Sequence, residues 1–316
     1  MSIDKDSINW LNNLFGSCIK FSEPMSKHTY FRVGGPADAF VCPDNVEKLK
    51  EFLRWASDKR IPYTVIGDGS NLVVRDKGIP GIVIALTKCL NEISSSGRDG
   101  EFVLIKAMAG VRTQTLCRYA IEEGLSGINF ALGIPGTVGG AIMMNAGTSS
   151  GSISDVLDSV NVILSSGIML RIKREELDFS YRKLSWGKNF IKSYQEEPII
   201  IAGWFKLYQS DPVELRNEAR IILKKRRDNQ PTGTASAGCF FKNPPSGKTA
   251  GQIIDAAGLK GTRIGGAEVS ARHANFIINT GTASASDILV LMQLIQETVF
   301  NKFNINLEPE VTIFGI

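Results

Sequence analysis

The chain is poor in the residues that build metal and disulfide sites. It has two histidines, His28 and His273, and five cysteines among 316 residues. The cysteines, at positions 18, 42, 89, 117 and 239, are odd in number, scattered, and never in a CxxC. That spacing suits neither a zinc site nor a disulfide framework, so no metal is expected and a reducing, cytoplasmic setting fits. Long apolar runs are also missing. None reaches the about 18 residues that would suggest a membrane span. The opening MSIDKDSINW lacks the basic stretch and apolar run of a secretory signal. Neither sign of charge dominates: 36 basic and 32 acidic residues leave +4. So mild and dispersed an excess argues against nucleic acid as a partner and suits a small anionic molecule. Two nucleotide signatures fail. Gly247-Lys248-Thr249 ends like a phosphate-binding loop, but Lys242 stands where the first glycine is required. Gly67 and Gly69 begin a GxGxxG whose third position is Leu72, and a strand follows instead of a helix.

What is present centres on residues 131–147, ALGIPGTVGGAIMMNAG. Gly133, Gly136, Gly139, Gly140 and Gly147 fall in it, and no side chain there is charged. Glycine permits left-handed backbone and close approach of another group to the main chain. A run of uncovered amides suits the diphosphate of a large cofactor. A ligand-free buried turn explains the same letters about as well. Hydrophobic content of 43% and charged content of 22% are globular values, and the length predicts two or three domains.

Along the chain the pattern predicts a lead-in helix within 1–20, with Ile8, Leu11, Leu14 and Phe15 on one face. Residues 27–43 read as strand, Gly-Gly-Pro turn, strand. Asp44, with Glu47 three residues on, predicts a capping box for a helix that buries Leu49, Phe52 and Leu53. Strands are expected at 62–66 and 81–86, with GDGSNLVV (67–74) between them. Further on come a strand at 102–109, a helix capped by Thr113 and ended by Gly124, a hairpin at 160–172 and a strand at 198–208. Asp211-Pro212 starts a helix to about Arg227. After it the chain is loop-rich to Thr249, then helical at 250–258 and 286–300, with strands at 274–279 and 307–316.

Several short stretches carry chemistry-bearing residues, each weak alone. GDGSNL offers a glycine turn with the Ser70 hydroxyl and the Asn71 amide, a cradle for a diphosphate or a plain tight turn. Arg182 in SYRKLSWGK has the planar fork that grips a carboxylate, though a surface arginine is the commoner case. SAGCFFKNP (236–244) holds Cys239, and most free cysteines are inert small hydrophobes. Glu308 and Glu310 of EPE alternate onto one face of an extended strand. His273 precedes a buried strand and is expected to serve as a hydrogen-bonding partner.

Taken together, KHTYFRVGGPAD, VIGDGSNLVV, GIPGTVGGAIMMNAG, SYR, QPTGTASAGCFFKNP, GAEVSARHANFIIN and LEPEV resemble the UDP-N-acetylenolpyruvoylglucosamine reductase (MurB) family in letters, order and spacing. The short segment after Arg182 is similar to the subclass without an extra tyrosine-bearing substrate loop. The resemblance implies an α+β protein. Its FAD-binding domain, of the vanillyl-alcohol-oxidase (PCMH) type, would comprise two α/β subdomains, residues 1–90 and 91–210. A C-terminal α+β substrate domain would span 211–306, with 307–316 returning to the first subdomain. It implies non-covalent FAD reduced by NADPH, and conversion of UDP-N-acetylglucosamine enolpyruvate to UDP-N-acetylmuramate for peptidoglycan. A monomer is expected, with no nucleic-acid or membrane partner.

By the same resemblance, Gly67, Asp68, Gly69, Ser70, Asn71 and Leu72 form one FAD segment. Gly133, Pro135, Gly136, Thr137, Gly139, Gly140, Asn145, Ala146 and Gly147 form the other. Arg227, Lys242, Asn243 and Asn275 fall in the region that holds the UDP-sugar. Flavin hydride goes to C3 of the enolpyruvyl group, Arg182 and Glu310 stabilise the enolate, and a proton reaches C2. Glu310 beside an enolate implies a raised pKa. Where the family usually has serine as proton donor, this chain has Cys239, and Thr312 stands where an arginine often follows EPEV. A thiol is mostly protonated near neutrality, with a reference pKa of about 8.5. Phe240 and Phe241 suggest apolar surroundings that keep it so, whereas Lys242 or Arg182 would favour thiolate. An oxygen-using oxidase on the same fold would often tether FAD through histidine or cysteine, and no histidine lies in the glycine-rich loops. A non-catalytic UDP-sugar binder would have no use for the glycine cradles.

Overall fold

The computed structural model describes residues 3–194, 196, 198–245 and 247–316. The chain forms two compact units, and neither is continuous in sequence. The first takes residues 1–20, 39–68 and 81–224, the second 21–38, 69–80 and 225–316.

In the first unit the lead-in helix Lys5–Phe15 is capped by Asp4, whose carboxylate accepts the Ser7 amide, and it buries Leu11 and Phe15. Phe15 meets Phe52 of helix Val46–Lys59, with centroids 5.9 Å apart. That helix is capped by Asn45 and not by the expected Asp44. Asn45 Oδ1 accepts the Lys48 amide, while Asp44 pairs with the Lys48 ammonium. Strands Tyr63–Ile66 and Ile79–Ala85 run parallel as neighbours at one edge of a four-stranded sheet. A second sheet is antiparallel, ordered Met169–Lys173, Leu157–Ile163, Ile199–Gln209, Phe102–Met108, Ile93–Asp99, with Leu125–Ser126 joining the end of Ile199–Gln209. Its long central strand is buried along most of its length, as the unbroken apolar run PIIIAGWF requires.

The second unit packs around one apolar cluster. Phe31, Val73, Phe240, Phe241, Ile254, Ile288, Leu291 and Ile295 are all buried in it. Helices Ala250–Ala256 and Ala285–Phe303 lie on a three-stranded sheet of Arg263–Ile264, Ala267–Val269 and Ile277–Asn279. The closing strand is shorter than expected, Thr312–Phe314, and pairs in parallel with Leu72–Val74. No strand forms over 27–33. The Thr29 hydroxyl donates to the Val33 carbonyl at 2.8 Å and Arg32 is left-handed at φ 57°, which coils the segment into a turn. Among the described residues no helix is long and apolar enough to cross a membrane.

Candidate active site

The first unit assembles the long glycine segment, the start of the short one, and Arg182. Helix Val138–Met143 occupies the middle of the glycine-rich run, capped by the Thr137 hydroxyl on the Gly140 amide. Helix Thr113–Glu122 holds the preceding turn. Thr113 donates through both its amide and its hydroxyl to the Gly136 carbonyl, at 3.0 and 3.2 Å. Gln114 donates to the Ile134 carbonyl at 2.9 Å and accepts the Gly133 amide at 3.2 Å. Thr113 is therefore the first residue of its helix, the cap position being Arg112. Gly67 abuts this assembly, since a Cβ added to it would lie 2.3 Å from Thr137 Oγ1. Asp68 faces the Arg112 guanidinium at 3.5 Å. Asn145 ends the run with a buried amide that bonds to Ser154 and Ser180. Ala146 and Gly147 lead from it into a short strand pair with residues 151–152.

Arg182 is the second residue of a two-residue hairpin loop. Strands Leu177–Ser180 and Lys183–Trp186 pair, with Ser180 opposite Lys183 and Tyr181-Arg182 between them. The Arg182 backbone is left-handed, φ 58°, at a position where glycine or asparagine is favoured. Holding a long side chain there costs about 1–2 kcal/mol, a cost that tends to concentrate at functional sites. The Arg182 Nε is buried and its guanidinium lies over the Tyr181 ring, 5.0 Å from the centroid.

The second unit brings Cys239, Lys242, Asn243, Asn275 and Glu310 together. Phe241 pairs antiparallel with Pro309 in an isolated bridge. The Glu310 amide donates to the Phe240 carbonyl at 2.8 Å, and the Lys242 amide to the Glu308 carbonyl at 2.9 Å. Cys239 thus sits one residue from the ladder that seats Glu310. Asn275 closes the other side. Its carbonyl accepts the Phe240 amide, its Oδ1 accepts the Phe241 amide at 2.9 Å, and its Nδ2 donates to the Phe241 carbonyl at 2.8 Å. Lys242 Nζ is paired with the Glu308 carboxylate, and Asn243 Oδ1 accepts the Ala250 amide at the start of a helix.

Phe240 and Phe241 are buried in the core, and Arg226, a charged residue not singled out in the sequence, interacts with the half-buried Cys239. Burial pushes the Arg226 guanidinium below its ordinary pKa, and Cys239 pushes it back up. Residues 215, 219, 222 and 226 form the inward stripe of helix Pro212–Asn229, while Arg227 is exposed. The i, i+4, i+7 spacing from Leu215 could have marked Arg226, which the motif comparison passed over. Gln114 was also missed, and its tie to the glycine-rich turn is a tertiary contact that no local pattern marks.

The loop 69–72 belongs to this unit. Gly69 is left-handed at φ 67°, and a Cβ added to it would lie 1.9 Å from the His28 carbonyl, so only glycine fits. Within the first unit, Gly67 packs on Thr137 and Gln114 and Thr113 hold the glycine run, a glycine cradle in which a Cβ at Gly67 would meet Thr137 and whose small residues suit close approach of the FAD diphosphate.

Two family models match the chain: an FAD binding domain over residues 37–173 and the C-terminal domain of UDP-N-acetylenolpyruvoylglucosamine reductase over residues 230–314. The chain is 43% identical to the UDP-N-acetylenolpyruvoylglucosamine reductase of Desulfosudis oleivorans, over 99% of this chain and 100% of that protein. It is 42% identical to that of Exiguobacterium sibiricum, over 94% and 93%. The crystal structure of UDP-N-acetylenolpyruvylglucosamine reductase (MurB) from Thermus caldophilus is similar with a TM-score of 0.76 at 35% identity, covering 93% of this chain and 98% of that one. With an FAD-binding domain and a reductase C-terminal domain in one chain, and identity at this level along nearly its whole length, the protein belongs to the UDP-N-acetylenolpyruvoylglucosamine reductase family and is an FAD-dependent oxidoreductase.

Proposed function

We propose that the protein uses NADPH to reduce the enolpyruvyl ether of UDP-N-acetylglucosamine to UDP-N-acetylmuramate, a step of peptidoglycan synthesis in the cytoplasm. The observation that carries this reading is the pairing of segment 240–242 with 308–310, which seats Glu310 beside the segment that bears Cys239. An acid and a carboxyl group on paired segments are what a carbon-centred reduction needs from the protein. Bound FAD, held without a covalent link, supplies the hydride for C3.

The chain's own residues do the rest. The Arg182 fork pairs with the substrate carboxylate and holds it as negative charge grows toward the enolate. Glu310 hydrogen-bonds the same developing charge. The Cys239 thiol gives its proton to C2, so that the enolate collapses to the saturated lactyl ether and the thiolate is left to be reprotonated from solvent. Gly67 to Leu72 and Gly133 to Gly147 hold the FAD. Arg227, Lys242 and Asn243 face the anionic UDP-sugar, with Asn275 holding the main chain at Phe241 beside Lys242. Arg226 adds positive charge beside Cys239.

The test follows NADPH oxidation with and without the enolpyruvyl substrate, with the product identified by mass. Substrate-dependent oxidation, a mass gain of two hydrogens (one hydride and one proton) and flavin released on denaturation are expected. Oxidation driven only by oxygen, or flavin that stays on the denatured polypeptide, would instead indicate an oxidase.

A further inference from the structure

We propose that Asn145 and Asn71 are positioning residues, each tying one cofactor segment to the main chain that carries a group acting on the substrate. The proposal rests on the reductase reading above. Both asparagines lie in segments expected to contact FAD, yet in both the side-chain amide is engaged by protein.

Asn145 closes the glycine-rich run with left-handed backbone, φ 40°, a conformation asparagine tolerates better than most residues. Its amide is buried and works in two directions. Nδ2 donates to the Ser180 carbonyl at 3.1 Å and Oδ1 accepts the Ser154 amide at 3.0 Å. Ser180 is the last strand residue before Tyr181-Arg182. The bond therefore fixes the carbonyl from which the left-handed Arg182 turn departs. Ser154 lies on the short helix after the run, so one carboxamide joins three pieces of chain.

Asn71 does the equivalent in the second unit. Its Nδ2 donates to the Glu310 main-chain carbonyl at 3.1 Å, and its own carbonyl accepts the Thr312 amide at 2.9 Å. Those two bonds fall on either side of Val311 and set the register of Glu310 against the loop 69–72. A neutral carboxamide both donates and accepts from one planar group, which is why asparagine suits each junction. Losing the donor leaves Arg182 or Glu310 present but displaced, and a misplacement of about 1 Å can cost on the order of 10²-fold in rate.

The test uses the FAD-loaded enzyme and compares wild type with Asn145→Gly, Asn145→Asp and Asn71→Ala. Glycine at 145 keeps the left-handed backbone and loses both bonds. Aspartate keeps the acceptor for Ser154 and loses the donor to Ser180. In stopped flow, reoxidation by the enolpyruvyl substrate is expected to slow at least tenfold more than flavin reduction by NADPH in all three variants, and at least tenfold more than FAD affinity, read by flavin fluorescence, declines. In Asn145→Gly, faster amide hydrogen exchange is expected in the 177–186 hairpin. Wild-type reoxidation in Asn145→Gly or Asn71→Ala overturns the proposal. So does an equal loss of FAD affinity and of both half-reactions, which marks a general structural role. An effect in Asn145→Asp that Asn145→Gly lacks overturns it too, as the sign of an introduced charge. A wild-type holoenzyme that the substrate does not reoxidise refutes the reductase reading itself and is told apart by that control.

Discussion

Asn275 and Phe241 exchange two hydrogen bonds, the amide side chain of one embracing the peptide groups of the other. Asn275 is 3% exposed and Phe241 1%, so neither bond has a water substitute nearby. Truncating the amide would strand a buried N–H and a buried C=O at about 1–3 kcal/mol each. Asn275→Ala is expected to lower stability by about 2–5 kcal/mol, read from the urea midpoint at constant slope. A midpoint unchanged within error would mean that the segment carrying Cys239 is held from the 308–310 side alone.

The residue two before Asn275 makes the same region sensitive to pH. His273 Nδ1 accepts the Asn275 amide at 3.2 Å, which requires the neutral ring. Burial holds the imidazole below its ordinary 6.5, Lys260 acts the same way, and a main-chain hydrogen bond opposes them. The unfolded ring takes its proton near 6.5 and the folded ring only at lower pH. Its contribution to stability is therefore complete above 6.5 and is lost as pH falls through the lower folded value. Urea unfolding of wild type and His273→Phe from pH 7.5 to 5 is expected to show a steeper loss in wild type. Parallel curves would remove His273 from the pH dependence.

Arg182 offers a contrast between stability and activity. Arg182→Lys keeps the charge and loses the planar fork, so reoxidation by the substrate is expected to fall by about 10²-fold or more while NADPH still reduces the flavin. Arg182→Gly removes the side chain and relieves the left-handed backbone, worth about 1 kcal/mol before the extra freedom of the unfolded chain is counted. It is expected to be inactive in the oxidative half-reaction yet to melt no lower than Arg182→Lys. A glycine variant that melts well below the lysine one would show that the arginine side chain stabilises the hairpin more than its backbone strains it.

How much of this was readable in the letters depends on how local each feature is. The hairpin Leu157–Ile163 with Met169–Lys173 and the helices that start near Pro212 and Ala285 carry their own turn and cap signals, and they form about where those signals lie. Strand Ile93–Asp99 was not expected. Its SSSGRD sequence has no apolar alternation, and it exists because it lines the edge of a sheet built by others. Helix Val138–Met143 was hidden by Gly139 and Gly140, which lower helix propensity. The motif segments themselves are contiguous and legible. Their supports are not: Asn71 reaches Glu310 across 239 positions, and Arg226 reaches Cys239 only through the phase of its helix. The closing strand was drawn too long because Pro309 breaks the extended pattern and makes one isolated bridge instead.

Cys239 carries the sharpest departure from the common motif, and Arg226 sharpens it further. A positioned acid is typically worth about 10²–10⁴-fold in rate. Cys239→Ala is expected to leave flavin reduction by NADPH intact and to slow reoxidation by that order, and Cys239→Ser to recover a substantial part. A guanidinium beside a thiol favours the thiolate, which alkylates but cannot donate. Arg226→Met should therefore slow iodoacetamide inactivation at fixed pH. Substrate should protect wild type from the same reagent. Lys242, already paired with Glu308, is expected to have a smaller effect on alkylation than Arg226. Stopped-flow traces of the two half-reactions, with alkylation rates beside them, check all of this on one set of variants. Wild-type reoxidation in Cys239→Ala would mean that another group or water delivers the proton to C2, and the thiol would then be a packing replacement for serine.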